Sequence, residues 1–215
     1  MDKTPKDRLY PDVYFKTEDE LRLFTNQFYN NLVPSAVDIY SESSDLIVKS
    51  DLMLEMSGQR IIPDEGNGWN FTALRDINFY LQYSHNCTEV NARNRYDGVA
   101  RFFRAYFYFE KVKRYGDIPW YDKALDSDDP ELYKARDSRE FVMQKMLEDL
   151  DFAIANLPKT KNAYVLTRWT ALALKSRVCL FEGTFRKYHG LEDCEKYLNA
   201  CVSASETFMN ESGYT

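Results

Sequence analysis

The sequence predicts an all-α protein made of tetratricopeptide-like helix pairs with long inserted loops. Apolar residues recur three or four positions apart in six segments, which is the spacing of one face of an α-helix. Capping residues precede several of these segments, and Gly or Pro follows them. Two neighbouring pairs, 98–115 with 139–157 and 168–186 with 191–210, have the helix–turn–helix order of tetratricopeptide repeats.

Size and charge limit the possible functions. The 215 residues suffice for one substantial core or two small ones. A net charge of −6 and the lack of a basic block argue against nucleic acid and against an anionic membrane surface as partners. No apolar run approaches the roughly 20 residues that span a bilayer. The 16 tyrosines and 14 phenylalanines suit both helix packing and stacking on a ligand.

Neither a cofactor nor a metal site is predicted. The cysteines match neither a disulfide framework nor a CxxC metal motif, so we expect Cys87, Cys179, Cys194 and Cys201 to be buried free thiols. The two histidines have no partner at metal-ligand spacing. Nucleophile motifs and phosphate-binding glycine loops are lacking, and no carboxylate pair lies in a motif that would fix a glycosidase geometry. We therefore expect no enzymatic activity.

The chain divides at its first helix. Residues 1–16 contain two prolines and few apolar positions, which favours an extended N-terminal arm, with a disordered tail as an equal alternative. Residues 17–215 are expected to form one helical domain. Thr17 and Glu20 form a capping box that opens the first helix, and Pro34 closes it.

The segment 34–68 is the least regular part of the chain, and it ends in a Trp flanked by Asn. A long irregular connection of this kind is typically functional or flexible. An indole ring can stack on a sugar ring while amide, carboxylate and guanidinium groups bind hydroxyls. The candidate glycan-binding residues are Trp69, Asn70, Asn67, Asp45, Asp51 and Arg60. The alternative, which we favour for Trp69, is that its ring anchors the loop in the core at the start of the next helix.

The central helix is predicted to be sandwiched between neighbours. It follows a helix over 71–85 and carries two apolar faces, with charges between them, until Gly116 and Pro119 end it. One face contains Val99, Phe102, Tyr106, Phe109 and Val112, and the other contains Phe103 and Phe107. The charged positions are Arg101, Arg104, Lys111 and Arg114.

A polar loop is predicted over 117–137. Its acidic cluster at 126–130 offers oxygen ligands for Ca²⁺, but it lacks the EF-hand spacing, so a solvated loop is the favoured interpretation.

Three helices complete the chain. Ser138 and Thr167 are predicted caps of the next two, and Pro158 ends the first of these. The last helix, about 191–209, places five residues on one stripe that should face the core: Cys194, Leu198, Cys201, Ser205 and Phe208.

Several segments also resemble a known family. Ala-Arg-Phe-Phe-Arg-Ala-Tyr-Phe-Tyr-Phe (100–109), which runs into Arg-Tyr-Gly-Asp-Ile-Pro-Trp (114–120), resembles the hallmark helix and turn of SusD-like (RagB-like) outer-membrane nutrient-binding lipoproteins of Bacteroidetes. Further segments that are similar to the family are 14–21, 74–81, 138–158 and 171–183. The resemblance covers nearly the whole chain but only the N-terminal portion of the family. It implies that the hallmark is structural and does not itself contact a ligand.

The resemblance implies a function and a location. A SusD-like protein would capture an oligosaccharide at the cell surface, without breaking a bond, and deliver it to a SusC-like TonB-dependent transporter. The family is held on the outer membrane by a lipidated N-terminal Cys. Because Met1 is followed by a polar segment, we expect the signal and the anchor to be missing from this sequence. The alternative is a tetratricopeptide-type adaptor that binds a peptide on a concave helical surface.

Overall fold

The structure is a computed structural model that describes residues 13–34, 57–59, 61 and 68–214. Within these residues the chain forms six α-helices and no strand, which confirms the predicted all-α class. The helices are α1 (Glu18–Leu32), α2 (Thr72–Tyr83), α3 (Val90–Tyr115), α4 (Arg139–Asn156), α5 (Arg168–His189) and α6 (Cys194–Glu211). Short 3₁₀ turns cover Ser84–Asn86 and Pro130–Tyr133.

The helices begin at the predicted caps. Thr17 and Glu20 form the capping box of α1, and the hydroxyl of Ser138 accepts a hydrogen bond from the Phe141 N–H at the start of α4. Thr167 caps α5 in the same way. Gly116 ends α3 with a φ of 71°, a value that glycine adopts without the steric cost that other residues meet.

Two predicted boundaries are wrong. Helix α3 begins at Val90 rather than near residue 98, because Ala92 and Tyr96 add a buried face to a stretch that is otherwise polar. Helix α6 begins at Cys194 rather than at residue 191, because the chain first turns through Gly190 and Asp193, both in the left-handed region.

Helix α3 lies at the centre of the fold, as predicted. It packs against α1, α2, α4 and α5, and its aromatic residues form much of one continuous core. Phe103 contacts Phe28 of α1 edge-on at 6.1 Å between ring centroids. The pairs α3–α4 and α5–α6 make the most extensive helix contacts, in agreement with the predicted tetratricopeptide-like pairing.

The described end of the N-terminal arm is packed. Phe15 is fully buried and meets the rings of Phe24 and Tyr80 edge-on at 5.0 and 5.5 Å. The extended conformation expected for the rest of the arm, residues 1–12, falls outside the described residues.

Arg104, one of the charged positions predicted on α3, is buried. Its side chain is only 9% exposed and forms two hydrogen bonds, of 2.6 and 2.8 Å, with the carboxylate of Asp149 on α4. The Asp149 side chain is 3% exposed. The ion pair therefore lies inside the interface between the central helix and its partner.

The cysteines are free, as predicted, but not all are buried. Cys87 and Cys179 lie in the core, and burial raises the pKa of Cys179 to about 12. Cys194 and Cys201 are half-buried, although the stripe predicted on α6 contacts α5, where the Ser176 hydroxyl lies 2.7 Å from that of Ser205 and 3.4 Å from the sulfur of Cys201. The fully buried residues of α6 are Tyr197 and Ala204.

Candidate functional site

A cavity of about 530 Å³ opens between the first turn of α2, the loop 117–137 and the segment that precedes α2. Its apolar lining consists of Trp69, Phe71, Leu74, Pro119, Tyr121, Leu125 and Leu132. Its polar lining consists of Thr72, Arg75, Asn78, Lys123, Lys134 and Arg136. This volume and this combination of aromatic walls with a few polar groups are typical of small-molecule sites.

Trp69 forms one wall at the mouth of the cavity. Its ring meets Phe71 and Tyr115 nearly at right angles, at centroid distances of 5.3 and 4.9 Å, and the guanidinium of Arg136 lies 5.0 Å from its centroid. The residue remains 37% exposed. Trp69 is therefore in contact with three neighbours, one of them over its ring, while part of the residue stays exposed beside the cavity.

The turn before Trp69 depends on α3. Gly68 has a φ of 87°, and a Cβ there would come within 3.2 Å of both Arg114 and Tyr115. The ammonium group of Lys111 donates a hydrogen bond to the Gly68 carbonyl. Burial, followed by the charge of Arg114, lowers the pKa of Lys111. The C-terminal part of the central helix thus determines where Trp69 lies.

The other predicted binding residues do not join Trp69 in the described site. Asn70 accepts a hydrogen bond from the Thr72 N–H at 2.8 Å, so its side chain supports the start of α2 and does not line the cavity. The remaining candidates fall outside the described residues: Asn67, Asp45, Asp51 and Arg60.

The opposite wall is held by two buried residues of α2 and α3. Asn78 donates from Nδ2 to the carbonyls of Tyr121 (2.8 Å) and Lys123 (3.3 Å), and its Oδ1 accepts from Arg104 at 3.2 Å. Tyr108 accepts a hydrogen bond from the Tyr121 N–H at 2.7 Å and donates toward the Pro119 carbonyl at 3.3 Å. Burial raises the pKa of Tyr108, so the hydroxyl keeps the proton that it donates.

Asp137 closes the base of this wall. Its carboxylate accepts a hydrogen bond from the Trp120 N–H at 2.7 Å, and its carbonyl accepts one from the Ile118 N–H at 3.1 Å. Lys134 bonds both the Trp120 carbonyl (2.6 Å) and the Asp137 carboxylate (2.9 Å). These contacts connect the beginning of the loop 117–137 with its end.

These contacts correct one expectation. The loop is not polar throughout, since Ile118, Trp120, Tyr121 and Leu125 are buried, but Asp126 and Asp128 of its acidic cluster are exposed, as expected. Pro119 of the hallmark turn lines the cavity, and the expectation that the hallmark does not contact a ligand stays a prediction. In the acidic part of the loop, Asp129 caps the turn Pro130–Tyr133. No group of three or more potential metal ligands occurs within the described residues.

The charges of the cavity are unevenly compensated. Lys123 lies 2.9 Å from Glu131 and 3.5 Å from Asp129, and Lys134 is paired with Asp137 as described above. Arg75 donates from Nε to the Leu125 carbonyl at 3.2 Å and approaches Asp126 only at 4.0 Å. In the described part of the chain, no ion pair involves Arg136, and no Asp or Glu lines the cavity.

Sequence reasoning did not find most of this lining. Asn78 carried a signal, because it lies four residues after Leu74 on the apolar face of α2, where a polar side chain must find partners. Arg75 and Arg136 carried none, since each lies in a polar stretch.

No described helix has the length and apolarity needed to cross a bilayer.

Comparisons with known proteins agree with this architecture. A family model described as SusD-like, "Starch-binding associating with outer membrane", matches residues 27–168. A SusD-like protein of Formosa agariphila is 29% identical over 87 residues, which cover 40% of this chain and 17% of that protein.

Solved structures share the fold. A SusD-like protein of Bacteroides fragilis superposes with a TM-score of 0.73 at 23% identity, over 99% of this chain and 42% of its own. A SusD-like carbohydrate binding protein of Bacteroides vulgatus gives 0.66 at 15% identity, over 93% and 46%. A structure described "with xylogluco-oligosaccharide" gives 0.55 at 22% identity, over 66% and 28%. The chain thus spans less than half the length of each of these relatives.

Proposed function

Because the chain belongs to the SusD-like family, we propose that it binds an oligosaccharide in the cavity beside Trp69 and delivers it to a SusC-like TonB-dependent transporter. The observation that supports oligosaccharide binding is the cavity itself, which combines about 530 Å³ of space with aromatic walls and hydrogen-bond donors. A sugar ring offers C–H faces to aromatic residues and hydroxyl oxygens to donors.

The walls of the cavity are suited to binding without rearrangement. The loop 117–137 is bonded to Asn78 and Tyr108, which are both buried in the core. A wall held in this way loses little conformational freedom when a ligand arrives, and less of the interaction energy is spent on ordering.

The proposal includes binding without catalysis. The polar groups that line the described cavity are amide, hydroxyl, ammonium and guanidinium groups, so the two carboxyl groups that a glycosidase requires would have to come from elsewhere. Incubation of the purified chain with oligosaccharides, followed by chromatography of the products, tests this point. Appearance of shorter products at a rate proportional to protein concentration would contradict it.

Binding is tested by the substitution Trp69→Ala. An oligosaccharide array identifies a ligand, and isothermal titration calorimetry then gives its Kd. If the exposed part of the Trp69 ring stacks on the sugar, the Kd should increase about two- to ten-fold, with little change in melting temperature. The matched control is Tyr188→Ala, which removes an aromatic ring that is 80% exposed on α5 and is not among the lining residues.

Two results would refute a ligand-binding role for Trp69. One is an unchanged Kd with a large fall in melting temperature, which would make Trp69 a loop anchor. The other is a failure of every oligosaccharide to bind while peptides do, which would favour the tetratricopeptide-type adaptor.

Delivery and location are tested separately. We propose that the protein lies on the outer face of the outer membrane, attached by a lipid anchor, next to its transporter. Co-purification with the product of a neighbouring SusC-like gene is the expected result. Recovery of the protein without any TonB-dependent transporter, under conditions that preserve other outer-membrane complexes, would contradict the delivery half alone.

A further inference from the structure

We propose that the cavity selects oligosaccharides that carry carboxylate or sulfate groups. This inference rests on the proposed function, because it concerns the class of sugar that the same cavity binds. It follows from the polar groups that remain available once the contacts within the protein are subtracted.

The amide of Asn78 is bonded within the protein. Its nitrogen donates to two loop carbonyls, and its oxygen accepts from Arg104. Because Asn78 is also only 1% exposed, its oxygen offers little to a ligand. The side-chain groups left among the described lining residues are mainly donors: those of Arg75, Arg136, the two lysines and the Trp69 indole. The hydroxyls of Thr72 and Tyr121 add two groups that can also accept, and the Tyr121 hydroxyl already donates toward the Leu132 carbonyl at 3.4 Å.

A neutral sugar is poorly matched to such a lining. Each hydroxyl both donates and accepts, and sites for neutral sugars pair donors with carboxylate or amide acceptors. A carboxylate or sulfate only accepts, so it is complementary to a set of groups that mainly donates. Charge-assisted hydrogen bonds of this type are about twice as strong as neutral ones.

The two lysines contribute little to this selection. Lys123 is compensated by Asp129 and Glu131, and Lys134 by Asp137, all at 3.5 Å or less. The selection therefore depends mainly on the two arginines.

Arg75 has unused hydrogen-bonding capacity. Its Nε is occupied by the Leu125 carbonyl, which fixes the side chain along the cavity wall. Its only described ion-pair partner is Asp126, at 4.0 Å, with both side chains more than half exposed. Such a pair contributes little, so the terminal nitrogens of Arg75 can bind an anionic group of a ligand.

Arg136 provides a second guanidinium, at the mouth of the cavity. Its guanidinium lies over the Trp69 ring at 5.0 Å, and within the described residues it has no ion-pair partner. A stacked guanidinium retains its in-plane N–H groups, which match a carboxylate or sulfate in a two-pronged geometry. A ring bound near Trp69 would thus place an acidic substituent within reach of Arg136.

The start of α2 also contributes positive electrostatic potential to the cavity. Thr72, Leu74 and Arg75, all in its first turn, line the cavity. That turn contains no acidic residue, and the side chain that supports it, Asn70, is neutral. The positive end of the helix dipole is therefore not neutralised by a carboxylate of its own helix, and it favours an anion in the cavity.

The test uses matched sugars that differ only in charge. The chain is titrated with an oligogalacturonide and its methyl ester, and with a carrageenan oligosaccharide and its desulfated form, after an array of neutral, uronate and sulfated glycans has identified other binders. We expect binding of an acidic form, with at least ten-fold weaker binding of the neutralised form. Raising the salt concentration should weaken only the acidic interaction.

Variants assign the effect to the arginines. Arg136→Gln and Arg75→Gln should each weaken binding of the acidic sugar about ten-fold, and Arg136→Lys should recover part of the loss. Lys187→Gln is the control, because it removes an exposed charge near the C-terminus of α5 that is not among the lining residues.

The possible outcomes separate the two proposals. Equal or stronger binding of the neutral forms, or no effect of the arginine variants, would overturn the charge selection and leave carbohydrate binding standing. Binding of the uronate but not the sulfated sugar, or the reverse, would support the selection and identify the acidic group. A lack of binding to every sugar on the array would overturn both proposals.

Discussion

The buried ion pair between α3 and α4 provides the sharpest test of the fold. Arg104 and Asp149 have side chains that are 9% and 3% exposed, with N–O distances of 2.6 and 2.8 Å. Replacing Arg104 with Ala leaves a carboxylate in the helix interface without its main partner. Removal of one partner from a buried pair typically costs about 3–5 kcal/mol. For a chain of this length, that corresponds to a fall in melting temperature of about 6–20 °C.

A surface pair of similar length provides the comparison. Lys145 and Glu148 on α4 approach to 2.8 Å, but their side chains are 34% and 48% exposed. Lys145→Ala should therefore change the free energy of unfolding by about 1 kcal/mol or less. The buried pair also joins two helices through two hydrogen bonds, whereas the surface pair lies within one helix. The difference between the two effects therefore measures what burial and the second hydrogen bond contribute together.

A double substitution tests whether the unpaired buried charge causes the loss of stability. Arg104→Met with Asp149→Leu removes both charges and fills the interface with apolar groups, so it should be more stable than Arg104→Ala alone. The nearby Arg101, which lies 3.6 Å from Asp149 and is 36% exposed, can turn toward solvent. Urea denaturation, followed by circular dichroism, measures the free energy of unfolding of the wild type and of the three variants. An effect of Arg104→Ala no larger than that of Lys145→Ala, or a double variant no better than the single one, would refute the reasoning.

Three further predictions concern backbone contacts, capping and pH. Gly183→Ala should destabilise the protein, because a Cβ there would lie 2.7 Å from the Leu198 side chain and 3.1 Å from its backbone nitrogen. Gly98→Ala, with 3.4 Å as its closest contact, should be neutral or stabilising by up to ~1 kcal/mol. Equal urea midpoints of the two variants would contradict this difference. Thr17→Ala removes the capping box of α1 and should cost about 1 kcal/mol, which thermal melting would show as a shift of about 2–4 °C. Burial raises the pKa of Asp97, so the folded state binds the proton more tightly than the unfolded state, and stability falls as pH rises above the ordinary carboxyl pKa. Asp97→Asn should therefore have a higher urea midpoint than the wild type at neutral pH but not at about pH 3. An equal increase of the urea midpoint at both pH values would show a cause other than the titration of Asp97.

The helices could be predicted from the sequence because their signals are local. A cap and an apolar stripe involve residues within a few positions of one another, so Thr17, Ser138 and Thr167 mark their helices without reference to the rest of the chain. The start of α3 was missed for the same reason. Its first two turns have only Ala92 and Tyr96 on the buried side, which is too sparse a pattern to separate from a polar loop.

The cavity could not be predicted, because the contacts that create it join distant positions. Asn78 bonds a carbonyl 43 residues away, and Arg104 bonds a carboxylate 45 residues away. Arg104 also shows that a charged residue between two apolar faces can be buried if the opposite helix supplies its partner. No periodicity within α3 could reveal that Asp149 lies opposite. Trp69 became a candidate because an indole beside amides is a chemical signal, independent of tertiary contacts, and its role in binding stays a prediction.

The hydrogen bonds that hold the loop 117–137 have a consequence for specificity. Asn78, Tyr108 and Arg75 bond to backbone groups of residues 119–125, not to their side chains. The path of the loop is thus determined by the core, while side chains such as Lys123 can change without altering it. A scaffold of this kind separates the shape of the cavity from the groups that face its ligand. It follows that substitutions at Arg136 should change which sugar binds while the urea midpoint stays constant, whereas substitutions at Asn78 should affect both.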